Sequence, residues 1–132
     1  MNILSGKIHQ LEAEGKLTIV RVMVNNSLFT SIIINEGNSP DYLKLGGPMQ
    51  VMFKESEVII AKGNEIQISL RNQLPGKIES IETSNLLCKL CVQTDAGKIK
   101  SLITRNAVES LGLSTGLEVI AMIKTNEVLL TP

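Results

Sequence analysis

The sequence predicts an all-β chain of two tandem five-stranded barrels, each with a short helix between its third and fourth strands. Two observations carry this. The first is a gapless internal repeat at a constant offset of 70 residues. Gly6-Lys7-Ile8 meets Gly76-Lys77-Ile78, Glu12 meets Glu82, Leu17 meets Leu87 and Val22 meets Val92. Further on, Ser31 and Ile33 meet Ser101 and Ile103, Leu43 meets Leu113, Gly46 meets Gly116, Lys54 meets Lys124, and Glu57-Val58 meets Glu127-Val128. About a quarter of the paired positions are identical and apolar character persists at most others, the mark of a duplicated unit. The second observation is that each unit consists of short runs rich in β-branched residues, separated by turn residues.

Taken in order, Gly6 to Glu12 reads as a first strand and Ala13-Glu14-Gly15 as a turn. Leu17 to Val24 is a long second strand, Asn25-Asn26-Ser27 a hairpin turn, and Leu28 to Ile34 a third strand. Ser39-Pro40-Asp41 then offers a helix start, with Ser as N-cap and Pro in the first turn; Leu43-Lys44-Leu45 closes that helix and Gly46-Gly47 ends it. Met49, Val51 and Phe53 alternate inward as a fourth strand, Lys54-Glu55-Ser56-Glu57 turns, and Val58-Ile59-Ile60 is a fifth strand. The second unit repeats this plan, with Pro75-Gly76 read as a turn that interrupts a strand-like run before Lys77-Ile78. Units are expected at residues 1–63 and 64–132. The order strand-strand-strand-helix-strand-strand is that of a small barrel of the oligonucleotide/oligosaccharide-binding (OB-like) type.

Composition narrows the function. Of 132 residues, 43% are hydrophobic, yet there is no Trp, one Tyr (Tyr42) and two Phe (Phe29, Phe53). The core is therefore aliphatic, and two such small units call for mutual packing or oligomerisation. Thirteen basic and thirteen acidic residues give zero net charge, and with so few aromatics this argues against direct binding of nucleic acid. No apolar run approaches a membrane span and no signal peptide opens the chain, so no membrane partner and a cytoplasmic location are expected. Cys88 and Cys91 have C-x-x-C spacing but lie in one strand-like run without a second pair, and read as ordinary buried or half-buried thiols. His9 reads as a surface residue. No catalytic constellation, phosphate loop or metal-ligand cluster is present, which favours a binding protein over an enzyme.

Three stretches carry anion-binding chemistry. Ser69-Leu70-Arg71-Asn72 supplies a hydroxyl, a guanidinium and an amide. Thr104 is an N-cap for a short helix beginning Arg105-Asn106-Ala107, whose free N–H groups suit an anion. Lys124-Thr125-Asn126 is a cationic turn.

On these residues the chain resembles the Mop, or TOBE, domains that bind molybdenum oxyanions. Ser69-Leu70-Arg71-Asn72-Gln73-Leu74-Pro75-Gly76-Lys77-Ile78 is similar to the Ser-Ala-Arg-Asn-Gln-Leu-x-Gly opening of that family. Leu102-Ile103-Thr104 and the run from Gly112 to Lys124 are similar to its Ile-Thr and Gly-Leu-x-x-Gly-x-x-Val-x-Ala-x-Ile-Lys patterns. The tandem layout is similar to two-Mop cytoplasmic molybdate-storage proteins.

The resemblance implies molybdate or tungstate as the bound oxyanion, held where subunits of a homo-oligomer meet, with a trimer of two-barrel chains ahead of a dimer. It places ligand contacts at Ser69, Arg71, Thr104 and Lys124, with backbone N–H groups near Leu70 and Thr125. Ala107 falls where some relatives carry serine, and Leu70 where alanine is usual. In the first unit Arg71 maps to Met1 and Thr104 to Ile34; Lys54 alone survives, followed by Glu55. One full motif per chain is expected, with Lys54 as a possible contributor from the first barrel. The function implied is intracellular storage or homeostasis of molybdate. The alternative is a ligand-sensing or assembly module working with a molybdate transporter ATPase or a transcription regulator.

Overall fold

The computed structural model describes residues 1–35 and 40–132. The architecture grows from two long strands, β1 (Asn2–Glu14) and β6 (Asn72–Thr83), which occupy equivalent places in the two repeats. Each hairpins into the next strand, β2 (Leu17–Val24) or β7 (Leu87–Thr94), and then into β3 (Ser27–Ile34) or β8 (Gly97–Thr104). Alternation decides which face turns inward: Thr18, Val20, Val22 and Val24 of β2 are buried, as are Cys88, Leu90, Val92 and Thr94 of β7. Cys91, three residues from Cys88, therefore faces the other side and is half-buried; both thiols are free.

Both β1 and β6 carry a bulge, at His9 and Glu79, where the register with the hairpin partner shifts by one residue. A bulge bends its strand and adds twist, which a small barrel needs. Both strands also pass their partner closely at a glycine. A Cβ at Gly6 would run into the Met23 carbonyl oxygen, and one at Gly76 into that of Gln93. These glycines are steric requirements.

Two expectations are corrected here. Pro75-Gly76 makes no turn, because β6 runs straight through it. Pro75 lies just before pairing with β7 begins at Gly76, on a stretch flanked on one side only, where a missing N–H is tolerated. In the second repeat the expected helix forms as α1 (Arg105–Leu111). In the first repeat, residues 40–47 form turns instead, and Ser39, the expected N-cap, lies outside the described residues. Pro40 occupies the position of Ser110, inside α1, where its ring and absent N–H oppose a helix. The leucines after this segment still plug their barrels: Leu43 and Leu113 are both buried.

The remaining strands are β4 (Pro48–Phe53), β5 (Ile59–Lys62), β9 (Glu118–Ile123) and β10 (Leu129–Thr131). Sheet orders are β10-β4-β1-β2-β3 and β5-β9-β6-β7-β8. The fifth strand of each repeat is thus hydrogen-bonded into the sheet of the other: β10 pairs with β4, and β5 with β9. Two curled five-stranded sheets result, consistent with tandem OB-like barrels whose last strands are exchanged.

Polar side chains clasp the exchange in near-symmetric pairs. Asn72 accepts from the Thr30 N–H (2.7 Å) and donates to its carbonyl (2.9 Å), while Asn2 does the same to Lys100 (2.8 and 2.9 Å). Each amide acts as one extra rung on the outer edge of β3 or β8. The Ser31 hydroxyl donates to the Val128 carbonyl (2.7 Å), and that of Ser101 to Val58 (2.9 Å). All four side chains are buried and satisfied. One continuous apolar cluster runs through both repeats, with Phe29 stacked on Phe53 at 5.9 Å between ring centroids. Among the described residues, no helix is long and apolar enough to cross a membrane.

Candidate functional site

Antiparallel register builds the candidate pocket. Asn72, the first residue of β6, pairs with Ile123, the last of β9. The residues just before the one and just after the other must therefore leave the sheet side by side. Ser69, Leu70, Arg71, Lys124 and Thr125 consequently line one concavity of about 130 Å³. Five of the eight sequence-predicted positions meet there.

The Arg71 guanidinium folds back on the chain that carries it, donating from Nε to the Ser69 carbonyl (3.3 Å) and from Nη2 to the Ile68 carbonyl. Gln73 donates to the Leu70 carbonyl at 2.8 Å, fixing the approach to β6. Lys124 is extended, and a 3-10 turn (Thr125–Glu127) follows it. None of the ion pairs among the described residues uses Arg71, Lys124 or Lys54. The pocket thus holds two cations and two hydroxyls, with no carboxylate among its lining residues. That combination attracts an anion and offers it directional donors.

Thr104 and Ala107 lie elsewhere. Thr104 is the N-cap of α1, its hydroxyl oxygen accepting from the Ala107 N–H at 3.1 Å, and Gly112 closes the helix in the left-handed region at φ 62°. Thr104 lines a separate concavity with Asn85, Leu86, Leu87, Arg105, Asn106 and Glu109. Removing the cap with Thr104→Ala should cost about 1 kcal/mol of stability in thermal unfolding.

Lys54 precedes the other 3-10 turn, Glu55–Glu57, and does not line the candidate pocket. Glu55 contacts Lys89 Nζ at 3.3 Å and the Met1 amino group at 3.5 Å. Partial burial pushes its carboxyl up, but the hydrogen bond and charge of Lys89, helped by the amino group, prevail and hold it below the usual carboxylate range. A depressed folded-state pKa stabilises the fold at neutral pH, and that contribution is lost as pH falls through the folded value. The stability gap between wild type and Lys89→Met, about 1 kcal/mol or less for a pair at the surface, should therefore be largest near neutrality and vanish in acid. Denaturant titrations across that range test it.

Asn72 was grouped with the anion donors on sequence, but both ends of its amide are spent on Thr30. The signal that marks it as architectural is its counterpart Asn2 at the same offset, in a repeat where Met1 stands in the place of the arginine. Cys91 donates to Glu79 at 3.3 Å, and burial followed by that carboxylate raises its pKa, so the thiol stays protonated and a poor nucleophile. His9 is exposed. Among the described residues, no three His, Cys, Asp or Glu side chains are grouped so as to hold a metal ion.

Comparison with known proteins adds the following. The TOBE domain family matches residues 68–130. Molybdenum-pterin-binding protein 1 of Clostridium pasteurianum is 35% identical over 66 residues, which are 49% of this chain and 97% of that protein. The molybdenum import ATP-binding protein ModC of Vibrio parahaemolyticus is 28% identical over 129 residues, 93% of this chain but 33% of its own length. Among solved structures, the cytoplasmic molybdate-binding protein ModG, with molybdate bound, superposes with a TM-score of 0.88 at 23% identity, covering 98% of this chain and 94% of that one. At that identity the likeness speaks for the fold, which is shared along nearly the whole chain.

Proposed function

The chain belongs to the TOBE-domain family of molybdenum-pterin-binding proteins, and we propose on that footing that it binds tetrahedral oxyanions of the molybdate and tungstate type, serving their storage or homeostasis in the cytoplasm. The observation that carries the reading is the pocket of Ser69, Leu70, Arg71, Lys124 and Thr125, in which two cations without carboxylate partners converge with two hydroxyls. Arg71 and Lys124 supply charge. Ser69, Thr125 and the backbone N–H groups beside them supply directional donors. Binding, not catalysis, is the activity.

The site is completed by another copy of the chain. Two facts support this. Thr104 and Ala107 lie outside the candidate pocket of the same chain. The residues beside Thr104 are also unusually apolar for a surface: Leu86 is 79% exposed and Leu87 42%. In the first repeat Leu17, Ile32 and Ile34 leave a similar patch uncovered. Apolar patches of this kind mark interfaces. A homo-oligomer, a trimer in preference to a dimer, would cover them and bring the Thr104 side of one chain to the Arg71 side of the next. Anion binding would then stabilise the assembly by mass action.

Isothermal titration with sodium molybdate tests the function. Saturable binding at micromolar protein is expected, and no heat or protection from thermal unfolding would overturn it. Arg71→Ala and Lys124→Ala should each weaken binding about 10- to 100-fold, the loss of one or two charge-assisted hydrogen bonds. A variant with full affinity removes that residue from the site. The second reading, a sensing or assembly module acting with a molybdate transporter ATPase or a regulator, is favoured by the alignment of 93% of this chain with 33% of the import ATPase.

A further inference from the structure

The two 3-10 turns are one turn built twice. Lys54 and Lys124 enter them at φ/ψ of −70°/145° and −67°/144°, and Val58 and Val128 leave at −87°/119° and −91°/119°. The Glu57 N–H donates to the Lys54 carbonyl at 3.0 Å, and the Glu127 N–H to Lys124 at 2.9 Å. Each turn is pinned by a buried serine hydroxyl from the other repeat, Ser101 on Val58 and Ser31 on Val128. With the backbone set identically, side chains alone decide what each turn presents.

The second turn presents Lys124 and Thr125 to the open pocket. The first keeps the lysine, as Lys54, but replaces the threonine by Glu55. The Glu55 side chain is only 21% exposed, and its carboxylate is held by Lys89. Lys89 has no counterpart in the other repeat, where Ile19 stands at the same offset. The first turn therefore has a lysine of its own, Lys54, and a carboxylate that already engages Lys89 and the Met1 amino group. Carboxylates and tetrahedral oxyanions recruit the same donors, so one excludes the other.

Building on the oxyanion reading above, we infer that Glu55 is an internal anion occupying the first repeat's version of the pocket. It keeps the first turn closed to free oxyanions and makes two turns of equal backbone unequal. Removing its charge uncovers a second oxyanion site, of Lys54 and Lys89, in the same chain.

The test is equilibrium dialysis of the full chain against sodium molybdate, comparing wild type with Glu55→Thr and Glu55→Gln. Both variants should bind more molybdate per chain at saturation, up to twofold more. Adding Lys89→Met to Glu55→Thr should abolish the gain. If the threonine variant does not fold, the near-isosteric glutamine variant decides the matter. A folded variant with wild-type stoichiometry overturns the inference. The functional reading fails separately, if wild type itself binds no molybdate.

Discussion

Residues 64–132, produced alone, will not yield a monomer of native stability. In the intact chain the outer edge of β9 is covered by β5, which belongs to the first repeat, while β10 has its place beside β4. The fragment keeps β9 and β10 but loses the partner of each. Two fragments can restore both pairings by exchanging β10 reciprocally, since the two repeats already meet through matched contacts: Asn72 with Thr30, Asn2 with Lys100, Ser31 with Val128 and Ser101 with Val58. In such a dimer the Ser101 and Val128 of opposite chains would reproduce the serine contact. Sedimentation should show a dimer at micromolar concentration, and the melting temperature should rise with protein concentration, as it does whenever association is part of folding. A monomer melting like the full chain would refute the exchange. The Clostridium protein, which this chain covers almost completely with 66 residues, is of single-repeat length.

Gly76→Ala will be among the most damaging single substitutions. The added Cβ meets the Gln93 carbonyl oxygen, with the Thr94 side chain next, so β6 and β7 must separate where their pairing begins. Backbone cannot swing aside as a side-chain tip can. A loss of about 3 kcal/mol is expected, the upper range for overpacking, which lowers the melting temperature by on the order of 10 °C. Gly116→Ala is the control. Gly116 has φ 89° and nothing near its missing Cβ, so its cost is conformational only, about 1–2 kcal/mol. Equal losses at the two positions would remove the steric account.

The repeat and strand alternation made much of the fold readable from sequence, because period-two burial and a 70-residue offset are local patterns. The exchange of β5 and β10 was not readable. An offset pairs residue with residue and is the same whether a strand joins its own sheet or the neighbouring one. The Pro75-Gly76 pair was misread for a related reason. Pro-Gly is a turn signal in isolation, and only the absence of a second flanking strand beside Pro75 explains why a strand can contain it. The helix was legible in the second repeat from Thr104 and Gly112, and misplaced in the first, where Pro40 replaces a helical serine. For the candidate pocket, sequence grouped Ser69 with Arg71 by adjacency. The family resemblance joined them to Lys124 and Thr125, and the register of β6 on β9 supplies the physical reason.

The exchanged strands also set a timetable for synthesis. Met52 on β4 awaits Leu129, more than half the chain downstream, before its edge is covered. At translation rates of 5–20 residues per second, that edge stands unpaired for roughly 4–15 s after it emerges. The N-terminal barrel cannot finish first: it lacks its closing strand until β10 is made, whereas the C-terminal one takes its edge strand, β5, from the earlier repeat. Completion of the N-terminal barrel is therefore a late event. In that interval β4 is open to strands from other nascent chains, and its tandem partner, already tethered, is the competitor that keeps the pairing within one molecule.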